Sequence, residues 1–336
     1  MGCRRLCRGR PHPHPVGWST IRACARAAGR WTMPSGSSFG ENAMNKNVGM
    51  IGIGMMGHGI ASNVIRKGWL LAVLEHPGNQ PLDALKAAGA RSFQRPAELA
   101  AVSDIIILVL TGSPQVEAVL TGEGGVLKGM RPGTIVIDCS TAIPASTQRM
   151  AKAVAAAGGR FLDTPMTRTP KEAAEGRLNL LVGGDASLLE ECRPLLSCFA
   201  ENITHAGPVG AGHSMKLLHN FVSLGFLTVL SEAAACAAQH DVAADVFVDV
   251  LGKGGGAGVA LERLRPYLTA RDVSGLRFSI ANACKDLGYY NTMAADGGCD
   301  TAVAAAVQAT LERANREAPQ ALMPQLSDIL AQHRQR

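Results

Sequence analysis

The sequence predicts an α/β protein in which an N-terminal domain built on a parallel sheet is followed by an all-helical domain. Three observations carry this. Between residues 47 and 206, short β-branched apolar runs alternate with helix-length segments, the signature of βαβ units. A Gly-x-Gly-x-x-Gly string, formed by Gly52, Gly54 and Gly57, stands directly between the first such run and the first such helix. After Gly212 the strand signal stops, and Ala-rich stretches of helical period run to the C-terminus.

Residues 1–43 hold seven Arg, no Lys and one acid, Glu41, with the run Pro11-His12-Pro13-His14-Pro15 and a Gly/Ser-rich stretch at 34–40. No apolar period runs through them, so a disordered leader is expected. Its Arg excess matches a mitochondrial transit peptide, but Pro11, Pro13 and Pro15 break the amphipathic helix such a peptide needs; a working start at Met44 is the equal alternative. Leu6 stands where N-myristoylation takes Ser or Thr, which removes that reading.

Residues 48–53, 71–74, 105–110, 134–137 and 178–182 read as strands buried on both faces, because their apolar residues run on without polar alternation. Residues 56–67, 114–120 and 144–157 read as helices, the last two opened by proline, whose missing N–H is harmless in a first turn. Strand, helix and strand in succession give crossovers and a parallel sheet, so 44–207 is expected to be a dinucleotide-binding domain of Rossmann type. Helical stretches at 213–240, 243–252, 259–268, 275–297, 300–314 and 318–334 fill residues 208–336, expected to serve substrate binding and self-association. Gly252, Gly254, Gly255, Gly256 and Gly258 follow no strand, so they read as a loop between helices and not as a phosphate cradle.

The net charge of +6 would suit a nucleic-acid partner, but it resides in the leader: taking its seven Arg from 33 basic residues and Glu41 from 27 acids leaves 26 of each. No nucleic-acid partner is therefore expected. The uninterrupted apolar runs, such as 105–110, fall far short of the about 20 residues of a membrane span, so no membrane association is expected. Cys139, Cys192, Cys198, Cys236, Cys284 and Cys299 form no Cys-x-x-Cys and no zinc-type pairing with His. Free thiols suit a reducing compartment; the expected location is the cytoplasm, or the mitochondrial matrix if the leader is a transit peptide.

The glycine string has specific physical uses. Gly52 allows a tight turn, Gly54 lets the backbone approach a pyrophosphate, and Gly57 allows close packing of helix on strand. Met55 and Met56 fill the loop, whose backbone N–H groups and helix dipole bind the diphosphate. Glu75 lies 18 residues after Gly57, at the end of the second apolar run, where a carboxylate accepts from the adenosine ribose and repels a 2′-phosphate. Its neighbour is His76 and not Arg, so NAD is expected over NADP.

Hydride transfer also needs a proton partner. Zinc ligands are missing, and so is a Tyr-x-x-x-Lys dyad, since Tyr267 is followed four on by Arg271, and Tyr289 and Tyr290 by Met293 and Ala294. A Lys or a His must serve. The stretch from Gly210 to Ser223 puts Gly212, Lys216, Asn220 and Ser223 on one helical face through steps of four, four and three. This Gly-x-Gly-x-x-x-Lys-x-x-x-Asn pattern resembles the catalytic motif of the 3-hydroxyisobutyrate dehydrogenases and related 3-hydroxyacid dehydrogenases. Three further blocks resemble the same family: Gly57 followed six on by Asn63, the stretch Asp138-Cys139-Ser140-Thr141-Ala142-Ile143-Pro144, and Phe278 through Lys285-Asp286-Leu287. Together they cover nearly everything from Met44 onward.

The resemblance implies a nicotinamide-dependent dehydrogenase for a small anionic hydroxy acid or semialdehyde, assembled as a homodimer or homotetramer through its helical domain. It makes Lys216 the general acid in aldehyde reduction and the base in alcohol oxidation, with Asn220 orienting it or the substrate. Ser140 and Thr141 then meet substrate and nicotinamide, while Leu110 and Lys285 join the cofactor set. The chemistry is sound from below, because desolvation lowers a lysine pKa toward the working pH. His213 and His219, within a turn of Lys216, are expected to be structural.

One stretch departs from the family. Members commonly carry Asp-Ala-Pro-Val-Ser-Gly-Gly, whereas this chain has Asp163-Thr164-Pro165-Met166-Thr167-Arg168-Thr169. Arg168 and Thr169 in place of the glycine pair resemble sulfolactaldehyde reductases, also described as 4-hydroxybutyrate dehydrogenases. That resemblance gives Arg168, Thr169, Asn220 and Ser223 to the substrate's anionic end. An ion pair of Arg168 with Glu172 is the competing reading. Some relatives are nuclear binding proteins without the lysine, and others are imine reductases with another residue there; Lys216 speaks against both a non-catalytic dinucleotide-binding module and imine chemistry.

Overall fold

The computed structural model describes residues 46–332, so the leader expected over 1–43 lies outside the described residues. β1 (Asn47–Ile51), β2 (Leu70–Leu74), β3 (Arg91–Phe93), β4 (Ile105–Leu108), β5 (Ile135–Asp138) and β6 (Arg160–Asp163) pair in parallel. They are linked by α1 (Met55–Arg66), α2 (Asp83–Ala87), α3 (Pro96–Ala101), α4 (Ser113–Thr121), α5 (Val126–Gly129) and α6 (Pro144–Ala156). The sheet continues through β7 (Met166–Thr167), α7 (Pro170–Glu175), β8 (Leu178–Gly183), α8 (Ala186–Leu196) and β9 (Ala200–Gly207), in the spatial order β3-β2-β1-β4-β5-β6-β8-β7 with β9 on β8.

The sheet is parallel-dominated with one antiparallel corner: β8 runs against β6 and β7. The ten residues between β7 and β8 are fewer than the dozen or more that a parallel crossover takes. β3, β6, β7 and β9 escaped the sequence reading because they are short or polar, β9 being exposed at most of its positions. The continuous apolar runs behave as expected. Ile105 and Ile107 of β4 join one buried layer while Ile106 and Leu108 join the layer on the opposite face, so helices cover both sides.

Beyond β9 the described chain is helical: α9 (Ala211–Gln239), α10 (Ala244–Gly252), α11 (Val259–Ala270), α12 (Ile280–Asp296), α13 (Ala302–Glu317) and α14 (Leu326–Gln332) surround a third apolar core. The glycine-rich stretch is the link between α10 and α11. The helix expected over 275–297 begins only at Ile280, where the Ser279 Oγ caps it by accepting from the Asn282 N–H at 3.2 Å.

α9 bears on the expectation of no membrane association. It has 29 residues and its most apolar stretch has a mean hydropathy of 1.7, so it is long and apolar enough, by length and composition, to cross a membrane. Ser223, Thr228, Ser231 and Glu232 interrupt its apolar runs, which is why run length missed it. Here it is the central helix, packed on α12, α14 and β8. Its start is tied to the sheet by the buried Asp163 at the end of β6, whose carboxylate accepts from the Gly210 N–H at 2.8 Å and the His213 N–H at 2.9 Å.

Candidate active site

The spatial order β3-β2-β1-β4 puts the topological switch between β1 and β4, where open α/β sheets hold their ligands. At the end of β1, Gly52 has φ 95°, and a Cβ there would lie 2.2 Å from the Val109 carbonyl oxygen. A Cβ on Gly57 would lie 1.9 Å from the Gly52 oxygen, so helix and turn touch backbone to backbone. A Cβ on Gly54 would meet nothing within 4 Å, leaving open space above the loop. No acidic side chain stands in the first turn of α1 and none caps it, so its free N–H groups suit an anion. A dinucleotide diphosphate fits this cradle. Met55 is exposed and Met56 half-buried beside it.

Glu75 follows β2 and is held by Lys86 at 2.6 Å and Gln94 at 2.5 Å. The hydrogen bond from Lys86, with help from Ser92 and Gln94, pulls its pKa down to about 2. Lys86, 11 residues on, was not foreseen from sequence, because only the third strand's pairing brings that neighbourhood together.

Across the crevice, the buried Ser140 is fixed at three points. Its Oγ accepts from the Leu110 N–H at 3.0 Å, its N–H donates to Asp138 at 2.9 Å, and its carbonyl accepts from the His213 Nε2 at 3.1 Å. The hydroxyl and the N–H of Ser140 both work against the rise that burial imposes on the Asp138 pKa. His213 is buried between Asp138 and Asp163 and pairs with the Thr147 hydroxyl at 2.8 Å, a structural placement as expected. Burial raises the Asp138 pKa, and its Oδ2 has no hydrogen-bond partner. Thr141 is half-buried next to Ser140.

Lys216 stands one turn into α9, half-buried, and desolvation lowers its pKa to about 8; Asp286 opposes that shift while Lys285 and Arg263 add to it. The buried Asp286 is the acid the sequence reading quoted but left without a role. It accepts from the Asn220 Nδ2 at 2.6 Å and pairs with Lys285 at 2.8 Å, joining α9 to α12. Lys285 also donates to the Thr111 carbonyl at 2.8 Å, beyond the end of β4. Asn63 proves to be a clamp: it donates to the Gly59 and Ala173 carbonyls at 2.9 Å each and locks α1 to α7.

The substrate-anion expectations fare differently. Arg168 has φ 82°, left-handed ground that favours glycine, the residue the family carries there. Its guanidinium is committed to Glu201 on β9 and to the Arg177 carbonyl. The competing pairing with Glu172 does not form, because Glu172 belongs to Thr169: the Thr169 N–H donates to it at 3.0 Å and the hydroxyl at 2.5 Å, capping α7. Thr169 therefore serves the helix start. Ser223 donates to the His219 carbonyl of its own helix at 2.7 Å.

Residues 47–207 match the family described as the NAD binding domain of 6-phosphogluconate dehydrogenase, and residues 210–323 the family described as NAD-binding of NADP-dependent 3-hydroxyisobutyrate dehydrogenase. The NAD-dependent L-serine dehydrogenase of Pseudomonas aeruginosa is 34% identical, over 72% of this chain and 83% of its own. The 2-hydroxy-3-oxopropionate reductase of Escherichia coli is 30% identical, over 80% of this chain and 99% of its own. Among solved structures, a Mycobacterium tuberculosis 3-hydroxyisobutyrate dehydrogenase with L-serine superposes with a TM-score of 0.77 at 25% identity, covering 85% of this chain and 99% of that one.

Proposed function

This chain belongs to the 3-hydroxyacid dehydrogenase family, and we propose that its substrate is an acid bearing a primary alcohol, or the matching aldehyde, at the second carbon from the carboxylate. It is an oxidoreductase using a nicotinamide dinucleotide. L-serine, 2-hydroxy-3-oxopropionate and 3-hydroxyisobutyrate, the compounds named for its relatives, all have that carbon skeleton. We read the chain as dividing near residue 207 into a cofactor half and a substrate half.

The mechanism rests on the place of Lys216, half-buried one turn into the helix that packs against the sheet, where desolvation lowers its pKa to about 8. A nicotinamide dinucleotide held over the glycine turn would supply or accept the hydride. In oxidation the neutral Lys216 amine takes the alcohol proton; in reduction its ammonium returns it to the aldehyde oxygen. Asn220, oriented by Asp286, steadies that oxygen or the lysine, and the buried Ser140, pinned to Leu110 and Asp138, gives that side of the crevice a fixed wall. Because the amine is the base, oxidation kcat/KM should rise with pH to a plateau above about 8, and reduction should fall over the same range. A flat oxidation profile from pH 6 to 10 would disprove Lys216 as the base.

The test of the substrate class is a panel followed by NADH absorbance: 3-hydroxyisobutyrate, L-serine, tartronate semialdehyde, 4-hydroxybutyrate and sulfolactaldehyde. The 3-hydroxy acids and their aldehydes should give the highest kcat/KM; a preference for 4-hydroxybutyrate, whose alcohol is one carbon farther out, would overturn the proposal. In the same assay NAD should exceed NADP, and Glu75→Ala should narrow the gap; equal efficiency with both cofactors in the unmodified protein would contradict the role given to Glu75.

Self-association is part of the same reading. Val222 and Val229 on α9 are 68% and 61% exposed, and Val303 on α13 is 69% exposed. An open groove of about 400 Å³ lined by Val229, Ala233, Val303 and Val307 lies between the two helices. A second copy covering this face would give a dimer or tetramer in sedimentation; a concentration-independent monomer would refute it.

A further inference from the structure

We propose that Tyr289 is a clasp for the dinucleotide: its hydroxyl reaches from α12 to the Ser113 N–H and holds the loop between β4 and α4 against the helical region, slowing cofactor release. The inference rests on the dinucleotide reading of the crevice. It adds a residue that neither the motif pattern nor the family resemblance assigned.

Tyr289 and Lys285 stand four apart on α12 and share a face, with the Lys285 ammonium 5.0 Å from the Tyr289 ring centroid. Tyr290 stacks on Phe221 of α9, with centroids 4.3 Å apart, which sets the rotation of α12. Both Lys285 and Tyr289 then reach the same three-residue stretch. Lys285 donates to the Thr111 carbonyl at 2.8 Å, and the Tyr289 hydroxyl accepts from the Ser113 N–H at 3.2 Å. Between them sits Gly112, where a Cβ would lie 2.4 Å from the Tyr289 hydroxyl. Its φ of −178° is extended backbone open to any residue, so the missing side chain makes room for that hydroxyl and serves no backbone need.

The stretch has a consequential position. Val109, just before it, packs its carbonyl against Gly52 of the cofactor turn. Ser113, its last residue, accepts from the Ile143 N–H at 2.8 Å, which ties in the loop that carries Ser140 and Thr141. The clasp therefore holds one rim of the β1–β4 crevice and is coupled to the other side. Tyr289 acts through this loop, as a positioning residue.

The test is NADH release, followed by stopped-flow loss of nicotinamide fluorescence with no substrate present. Tyr289→Phe keeps the ring and removes one hydrogen bond, so release should quicken about five- to tenfold. Gly112→Ala alone should quicken it at least as much, because its methyl displaces the hydroxyl. Gly112→Ala should add much less when combined with Tyr289→Phe, since removing the hydroxyl removes the 2.4 Å clash and leaves ring atoms at 3.3 Å and 3.4 Å that need to give by only a few tenths of an ångström. Wild-type release in Tyr289→Phe, or a Gly112→Ala factor that is the same with and without the hydroxyl, overturns the clasp. Absence of NADH binding in the unmodified protein overturns the cofactor reading and the clasp with it, whereas binding without turnover touches only the substrate reading.

Discussion

Lys216→Ala is expected to lower turnover about 10²–10⁴-fold, the usual worth of general acid–base catalysis, while NADH affinity stays within about twofold. Lys216 lies on α9, outside the sheet that carries the glycine turn, and among the described residues no hydrogen bond joins it to that turn. The fold should tolerate the change, because Asp286 keeps Asn220 and Lys285 as partners when the ammonium is gone. The defect should appear in kcat and kcat/KM alike, since the proton moves only in the chemical step. A variant turning over within about tenfold of the unmodified enzyme would end the assignment of Lys216 as the proton carrier.

Asp163→Ala is expected to be the most damaging single change to stability, at about 3–5 kcal/mol, from two buried N–H groups left without acceptors at about 1–3 kcal/mol each. Gly210 and His213 lose their partner at the first turn of α9, the helix that carries Lys216. The site is shaped around the carboxylate: Cβ atoms on Gly183 and Gly212 would fall 2.5 Å and 2.8 Å from its oxygens. At roughly 2–4 °C per kcal/mol for a domain of this size, the melting temperature should fall about 10 °C. Asp163→Asn should fall between, because one of its two oxygens becomes a donor facing donors. A calorimetric shift below about 2 °C for Asp163→Ala would show that α9 starts without this anchor.

The substrate end was the least legible part of the site. Arg168 reads in the sequence as a planar cation standing where relatives carry glycine, and its chemistry alone favours an anionic ligand. Glu201 lies 33 residues further on, and only the parallel pairing of β8 with β9 brings it to the guanidinium. Asp286 is the opposite case. It was visible beside Lys285, but a carboxylate in a string gives no sign of its partner until α12 packs on α9 and Asn220, 66 residues away, donates to it.

The sequence by itself determined what depends on neighbours along the chain. Backbone hydrogen bonding imposes periods of two and 3.6, so continuous apolar runs announced the buried strands β1, β2, β4, β5 and β8, and Ala-rich repeats announced the helical half. The glycines of the first turn and the Lys216–Asn220 step of four also sit within one or two turns of each other. Tertiary structure decided everything that joins distant segments: the antiparallel corner at β8, the polar edge strands, the anchor from Asp163 to α9, and the reach of Lys285 and Tyr289 to the β4 loop. The physical reason is that such pairings come from how elements of given length and shape fill one core, which no local period records.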